Sequence, residues 1–486
     1  MNNLIKNLTN TGHTDNGAVT NKSSFNPLVD FVFLAGASRK MSDVDITALI
    51  DKAYKFDREK TIKLIFWAGA IRGGLGERRF FKLALNYLAT LHETTQCQIN
   101  SEDIVRVVSD SAIINNVDNI VSFTRWDYLF DLYESDTTHY FTKLVVLKHI
   151  QEAFGEATDS LLFKWLPREK SKKYPKLRKK LTEQAGGPKA YRQKLAANTK
   201  VVETQMSAKK WDEIKYEHVP SKAMSNYSKA FRKHSEERFN GYLEAVVKGE
   251  KKINSSVLFP SDLVKATDKD PATADAQWKA LPDYLQGKAS STLVVCDVSG
   301  SMAGEPMDVS VGLGIYLAER LVGDFKNLVC TFSENPAFFT IPEGTLLEKV
   351  DALRKANWSY NTDLTKVFEL LLGRAKQHNS PESEMPKSIL IISDMEFDVA
   401  NKSKTNFEHI QDLFRASGYA MPKVVFWNVS GRTGNMPALS KDKNVQLISG
   451  YSPSVMKYVL EADANPESLV ENIVNDEKYA IIKTYA

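Results

Sequence analysis

The sequence predicts an α plus α/β chain: an all-α region first, then a doubly wound α/β domain. Two rhythms of apolar residues carry this. From about Pro27 to Pro260 the spacing is helical almost throughout, as where Phe81, Ala84, Leu85 and Leu88 recur at i, i+3, i+4 and i+7. Beyond about residue 288, short fully apolar runs alternate with amphipathic stretches, the pattern of strands buried on both faces between helices. The length agrees, since 486 residues exceed what one hydrophobic core ordinarily organises.

In chain order, residues 1–25 are polar and are expected to form a disordered tail, with no apolar signal segment. Residues 26–270 follow as the helical domain, with no convincing strand alternation. Its breakers are short: "RGGLGERR" at Arg72 to Arg79, "GEAT" near Gly155 and "GGP" at Gly186. Successive short helices over such a length fit an array of HEAT type, a solenoid or ring, or else an irregular bundle. Residues 271–288 are expected to be a linker, and 289–486 the α/β domain. Within it "TLVVCD", "NLVCTFS", "AFFTIP", "SILIISD", "KVVFWNVS" and "VQLISG" are strands. "MDVSVGLGIYLAERL", "TDLTKVFELLLGRAKQH" and "FEHIQDLFRASG" are helices.

Ligands of such sheets bind at the carboxyl ends of the strands. There the first strand ends in "DVSGS", placing Asp297, Ser299 and Ser301 as Asp-x-Ser-x-Ser. Thr362 opens a later helix and Asp394 ends a later strand. If strands one and four are neighbours, these oxygens converge. An oxygen-only set of moderate charge suits a hard cation, Mg²⁺ before Mn²⁺ or Ca²⁺. The alternative use of the hydroxyls is to cap the next helix. This combination resembles the metal-ion-dependent adhesion site of von Willebrand A domains, with Tyr360 and Asn361 before the Thr, and Met395 after the Asp, departing from the usual small residues. Glu396 is expected in solvent, its alternative being the same site. No histidine stands near the serines, and "SGS" is not a nucleophile elbow. "RGGLGER" lacks the Lys-Ser/Thr of a phosphate loop and fits a tight inter-helix turn.

The net charge of +4 conceals a local excess: Lys164 to Lys200 carries 13 Lys and Arg against 2 Glu. Lys170, Lys172, Lys173, Lys176, Arg178, Lys179, Lys180, Arg192 and Lys194 interleave there with Trp165, Tyr174 and Tyr191. Cations of this density attract a phosphate backbone and aromatics stack unpaired bases, so these residues, with Arg72, Arg78 and Arg79, are the RNA-binding candidates. The alternative is a solvated helical face. No run of about 18 apolar residues argues for a membrane span. Cys97, Cys296 and Cys330 are odd in number and widely spaced, which suits reduced thiols and a cytoplasmic location.

"WAGAIRGGLGERRFF", "RWDYLFDLY" and "VPSKAMSNYSKAFRKHSEERFNGYLEAVVKGEKKIN" resemble a family of plants, bacteria and phages that pairs a helical region with a C-terminal von Willebrand A domain. The architecture is similar to that of the Ro autoantigen (TROVE) proteins, in which an A domain closes a HEAT-like ring that admits single-stranded RNA ends. That resemblance implies a Ro-type metal site at Asp297, Ser299, Ser301, Thr362 and Asp394. It carries RNA binding over by architecture alone. The expectation is a non-enzymatic ribonucleoprotein scaffold, a compact monomer in which residues near Val32 to Ile50 contact the domain containing Asp297. The rival readings are an adaptor whose metal captures an acidic residue of a protein partner, and a metal-dependent hydrolase.

Overall fold

The computed structural model describes residues 9–484 apart from 100–101, 110, 158–159, 289–290, 333–335, 356–362 and 462–464. It divides into two compact units, one comprising Met1–Leu49, Gly73–Leu75 and Tyr216–Asn475, the other Ile50–Arg72, Gly76–Lys215 and Asp476–Ala486. The chain therefore combines a helical N-terminal region with a C-terminal mixed-sheet domain. The units do not follow the expected boundaries. The helices Ser221–His234, Glu236–Val247 and Pro260–Thr267 belong with the sheet, and the last residues belong with the helical unit.

In the sheet unit, β1 (Thr292–Asp297), β2 (Leu328–Phe332), β3 (Ala337–Thr340), β4 (Ser388–Ser393), β5 (Lys423–Asn428) and β6 (Val445–Ser449) lie in the order β3-β2-β1-β4-β5-β6. All neighbours are parallel except the edge pair β2–β3. Every residue of β1 and β6 is buried, which explains why these strands are uninterrupted apolar runs rather than alternating ones. The winding direction reverses between β1 and β4, whose register sets Val295 beside Ile391. Cys296 and Cys330 are free thiols buried in β1 and β2.

Two segments overturn expectations. Residues 9–24 are not a loose tail: Thr11–His13 pairs with Val19–Asn21, and Gly17 and Asn21 bridge to Asp398 and Met436. Short polar side chains, here Asn10, Thr14, Thr20 and Ser24, are buried because each bonds backbone or a neighbouring polar group. The expected linker contains the helix Pro271–Lys279, started by the Asp270 carboxylate accepting the Thr273 N–H at 3.2 Å. Trp278 is buried and donates to Glu319 at 2.9 Å. An Asp-Pro start was the available signal, and polar composition hid it.

The helix Pro27–Ala35, capped by Asn26, buries Phe31, Val32, Phe33 and Leu34 and lies against β6. Its end meets the sheet backbone directly. Gly36 N–H donates to Ser449 Oγ at 2.9 Å, Ser449 donates to the Val32 carbonyl at 2.6 Å, and Gly431 N–H donates to the Ala37 carbonyl at 2.8 Å. A Cβ at Gly36 would lie 2.5 Å from the Gly450 Cα, so only glycine fits.

The helical unit holds the helices Arg58–Gly69, Arg78–Thr90, Asp127–Glu134, Tyr140–Glu156, Pro175–Gln184 and Pro188–Asn198 among others. Phe66, Phe81, Phe123 and Tyr128 form edge-to-face pairs 5.1–5.9 Å apart in its core. "RGGLGERR" is indeed an inter-helix connection, with Gly73 and Gly76 at positive φ. A hairpin, His92–Ile99 with Glu102–Ser109, interrupts the helices where no strand was expected. The polar Thr and Gln of the first strand masked the alternation in the sequence.

The Gly36 approach gives a prediction of opposite signs within one unit. Gly36→Ala must push against backbone and should destabilise by about 1–3 kcal/mol. Gly241→Ala, inside the helix Glu236–Val247 with open space around its Cβ, should stabilise by up to about 1 kcal/mol. Denaturant midpoints compare the two; equal shifts would remove the close-approach argument.

Candidate metal centre and basic surface

Asp297 is the last residue of β1 and is fully buried. Its Oδ1 accepts the Ser299 N–H at 2.9 Å and its Oδ2 accepts the Ser393 hydroxyl at 2.5 Å, across the β1–β4 junction. Ser299 and Ser301 share a hydroxyl hydrogen bond of 3.1 Å; Ser299 is buried and Ser301 exposed. The chain then turns through the 3-10 segment Gly300–Met302 into the helix Glu305–Arg320. Asp394 follows β4 directly, is buried, and accepts the Glu396 N–H at 3.3 Å and a bond from Ser301. The structure thus brings Asp297, Ser299, Ser301 and Asp394 together at the reversal point of the sheet. Thr362 lies outside the described residues; Asp363 beside it caps the helix Leu364–Gln377.

The electrostatics of this cluster are those of two acids too close in too dry a place. Burial first, then the Asp394 charge, raises the Asp297 carboxyl far above the usual carboxylate range, against the donations from Ser393 and Ser299. Burial raises Asp394 as well, opposed by the Glu396 N–H, the Ser301 hydroxyl and the Lys40 charge. Such a pair favours either a proton or a cation between its members. Two carboxylates, two hydroxyls and no sulfur or imidazole suit a hard divalent cation, so the donors present fit such an ion. Among the described residues no group of three or more His, Cys, Asp or Glu side chains is placed to hold a metal ion.

Glu396 is a correction. It is buried rather than solvated, and it does not join the serines: Asn435 donates to its Oε1 at 3.0 Å, the Asp15 N–H to its Oε2 at 2.6 Å, and Arg432 lies 3.5 Å away. Burial pushes its carboxyl up to about 7. The physical reason is the N-terminal hairpin, which covers this strand exit and supplies Asp15. Met395, standing where a Gly is usual, adopts φ +66° with its side chain buried. The backbone thus takes the left-handed turn despite its side chain.

Sequence reasoning missed the basic residues that the N-terminal segment brings here. Lys40 lies within electrostatic range of Asp394 and is exposed. Arg39 pairs with Glu305 at 2.8 Å and lies 3.8 Å over the Tyr451 ring. No local pattern in "GASRKMSD" signals this, because the partners are hundreds of residues away.

In the helical unit the basic stretch divides. Tyr174 and Tyr191 are not stacking surfaces. Both are buried, donating to Asp131 at 3.1 Å and to the Pro167 carbonyl at 2.8 Å, and packing on Phe130 and Phe154. They share their helical faces with Leu177, Leu181 and Leu195, which is why they turn inward. Trp165 stays 37% exposed under the Arg125 guanidinium, 3.9 Å from the ring centre. Lys176 and Arg192 pair with Asp136 and Glu169 at 2.6 and 2.5 Å, Lys180 approaches Glu183, and Arg178 and Lys194 bond carbonyls. Lys173 lies 4.4 Å over Tyr174. Lys170, Lys172 and Lys179 are exposed without an acidic partner among the described residues, as are Lys189 and Lys200, which the sequence did not single out. Arg72, Arg78 and Arg79 are exposed at the inter-helix connection. Among the described residues no helix is long and apolar enough to cross a membrane.

Comparison with known proteins places the chain in a family. It is 28% identical to an uncharacterized protein of Acanthamoeba polyphaga mimivirus, over 96% of this chain and 88% of that one. Among solved structures it is similar to the Ro (RSR) protein of Deinococcus radiodurans, at 13% identity and a TM-score of 0.43, covering 93% of this chain and 99% of that one. The model of Domain of unknown function (DUF7788) matches residues 291–484, beginning at β1. The model of Domain of unknown function (DUF2828) matches residues 14–153 and 168–291, more than half of the chain, which therefore belongs to that family.

Proposed function

We propose that this chain is a non-catalytic RNA-binding scaffold whose sheet unit is a von Willebrand A-type domain with a divalent-cation site. The observation that carries RNA binding is the set of exposed lysines without acidic partners, Lys170, Lys172, Lys179, Lys189 and Lys200, on and beside two neighbouring helices. Ordinary solvated faces interleave both signs; an unneutralised cationic face favours a polyanion. The cation reading is supported by the sheet order, which puts a reversal point between β1 and β4, and by the buried Asp297–Asp394 pair ending there. Asp297, Ser299, Ser301 and Asp394 would hold the ion, with Thr362 as the expected fifth donor. Bound there, it would supply positive charge to an anionic oxygen arriving at the solvent side, where Ser301 is exposed. That opening also favours the second reading, capture of a protein partner's Asp or Glu.

The metal prediction includes a pH sign. Burial raises both carboxyls, and Asp297 to about 7, so through Asp297 the folded chain holds more protons than the unfolded one between about 4 and about 7. In EDTA, stability should therefore fall as pH rises through that window. Mg²⁺ should restore it, by about 2.7 kcal/mol at a concentration 100 times its Kd. Asp297→Asn should remove the Mg²⁺ response and weaken the pH dependence while the unit stays folded. Calorimetry and thermal melts read both; an unchanged Mg²⁺ response in the variant would dismiss the site.

For RNA, Lys172→Glu, Lys179→Glu, Lys189→Glu and Lys200→Glu together should weaken binding across sequences. Single-strand contacts contribute about 0.7 each to the slope of log affinity against log salt, so the slope should shrink by up to about 3. Equal slopes for variant and parent would assign the lysines to a solvated face.

A further inference from the structure

The helix Tyr140–Glu156 buries one stripe, Thr142, Val146, Ile150 and Phe154, at strict i, i+4 spacing. Its opposite face should be polar. Instead its first turns present Tyr140, Phe141 and Leu144, which are 67%, 58% and 43% exposed. Contiguous exposed aromatics, unlike scattered single ones, mark a contact surface. Their geometry is ordered: His139 caps the helix by accepting the Phe141 N–H at 3.3 Å, and its ring stacks on Phe141 at 22° and 5.8 Å. Tyr140 stands edge-on to Phe141 at 6.1 Å.

What surrounds these rings identifies the occupant. The lysine-bearing helix Pro175–Gln184 packs on this helix and on the one before it: Gln184 donates to the Gln151 carbonyl at 2.9 Å, and Lys176 reaches Asp136 at 2.6 Å. That ion pair neutralises Asp136, the acid nearest in sequence to the rings. Lys172 and Lys179, on the same neighbouring segment, stay unneutralised, and Lys143 lies one turn along from Tyr140. A hydrophobic protein partner would be served by the rings alone. Exposed aromatic faces on a helix whose packed neighbour carries unneutralised lysines match a ligand that alternates flat bases with phosphates. Resting on the RNA reading above, we propose that Tyr140 and Phe141 form a stacking platform for unpaired bases of single-stranded RNA, with the neighbouring lysines holding the backbone.

The test uses the full chain and a fluorescein-labelled oligouridylate. Both rings are exposed, so Tyr140→Ala with Phe141→Ala should leave the melting temperature unchanged. The double variant should bind the single strand about 5- to 150-fold more weakly per stacked base, with little change in salt slope. It should bind a duplex of the same length like the parent. Tyr140→Phe with Phe141→Tyr should retain affinity, and 4-thiouridine in the oligonucleotide should cross-link to the parent at this turn. If the parent binds RNA and the alanine variant binds it equally well, the platform is overturned while the lysine surface stands. If the parent binds no RNA at any salt concentration, the RNA reading falls first. A parent dimer that the alanine variant dissolves, seen by sedimentation, would give the rings to a second copy of the chain instead.

Discussion

Two acids at the ends of adjacent buried strands repel each other, and the sheet unit is arranged around that repulsion. Asp297 and Asp394 lie where β1 and β4 stand side by side, so neither can move apart without breaking the central ladder. The surroundings respond with donors rather than distance: the Ser299 N–H and the Ser393 hydroxyl on one acid, the Glu396 N–H and Ser301 on the other. Donors stabilise the charged forms only in part, because desolvation remains the larger effect at both. A buried like-charged pair is costly, and either a proton or a cation between its members relieves it.

The N-terminal segment is the second consequence. The carboxyl ends of β4, β5 and β6 would otherwise face solvent with apolar edges. Residues 9–40 cover them, with a hairpin over the β4 exit and a helix against β6. The Gly36–Gly450 approach makes this a backbone-on-backbone fit, which tolerates little displacement. Lys40 and Arg39 arrive beside Asp394 and Glu305 as part of that fit. The charge environment of the candidate site is therefore set jointly by segments hundreds of residues apart in the sequence.

In the helical unit the same logic runs through faces rather than charges. Helix geometry gives the basic stretch an inward stripe, which takes Tyr174, Leu177, Leu181, Tyr191 and Leu195, and an outward remainder, which takes the lysines. Acids within reach neutralise some of the cations and leave others bare. The exposed aromatics come from a different helix, Tyr140–Glu156, whose apolar residues exceed what its single buried stripe accommodates.

Local pattern alone determined the alternation of buried strands and helices after residue 288, the largely helical character before it, and the Asp-x-Ser-x-Ser turn, because apolar periodicity and strand-end chemistry are short-range properties. Asp394, expected to end a strand, follows β4 directly. Tertiary structure decided what depends on contacts distant in sequence. The polar N-terminus became part of the sheet unit because hydrogen bonds to Phe397, Glu396 and Met436 satisfy it. Pro271–Lys279 became a packed helix because Trp278 and Gln277 found buried partners. Glu396 was buried by Asp15, Asn435 and Arg432, and the aromatics of the basic stretch turned inward onto phenylalanines of other helices. A side chain's partner is set by where the chain returns in space, and periodicity carries no record of that return.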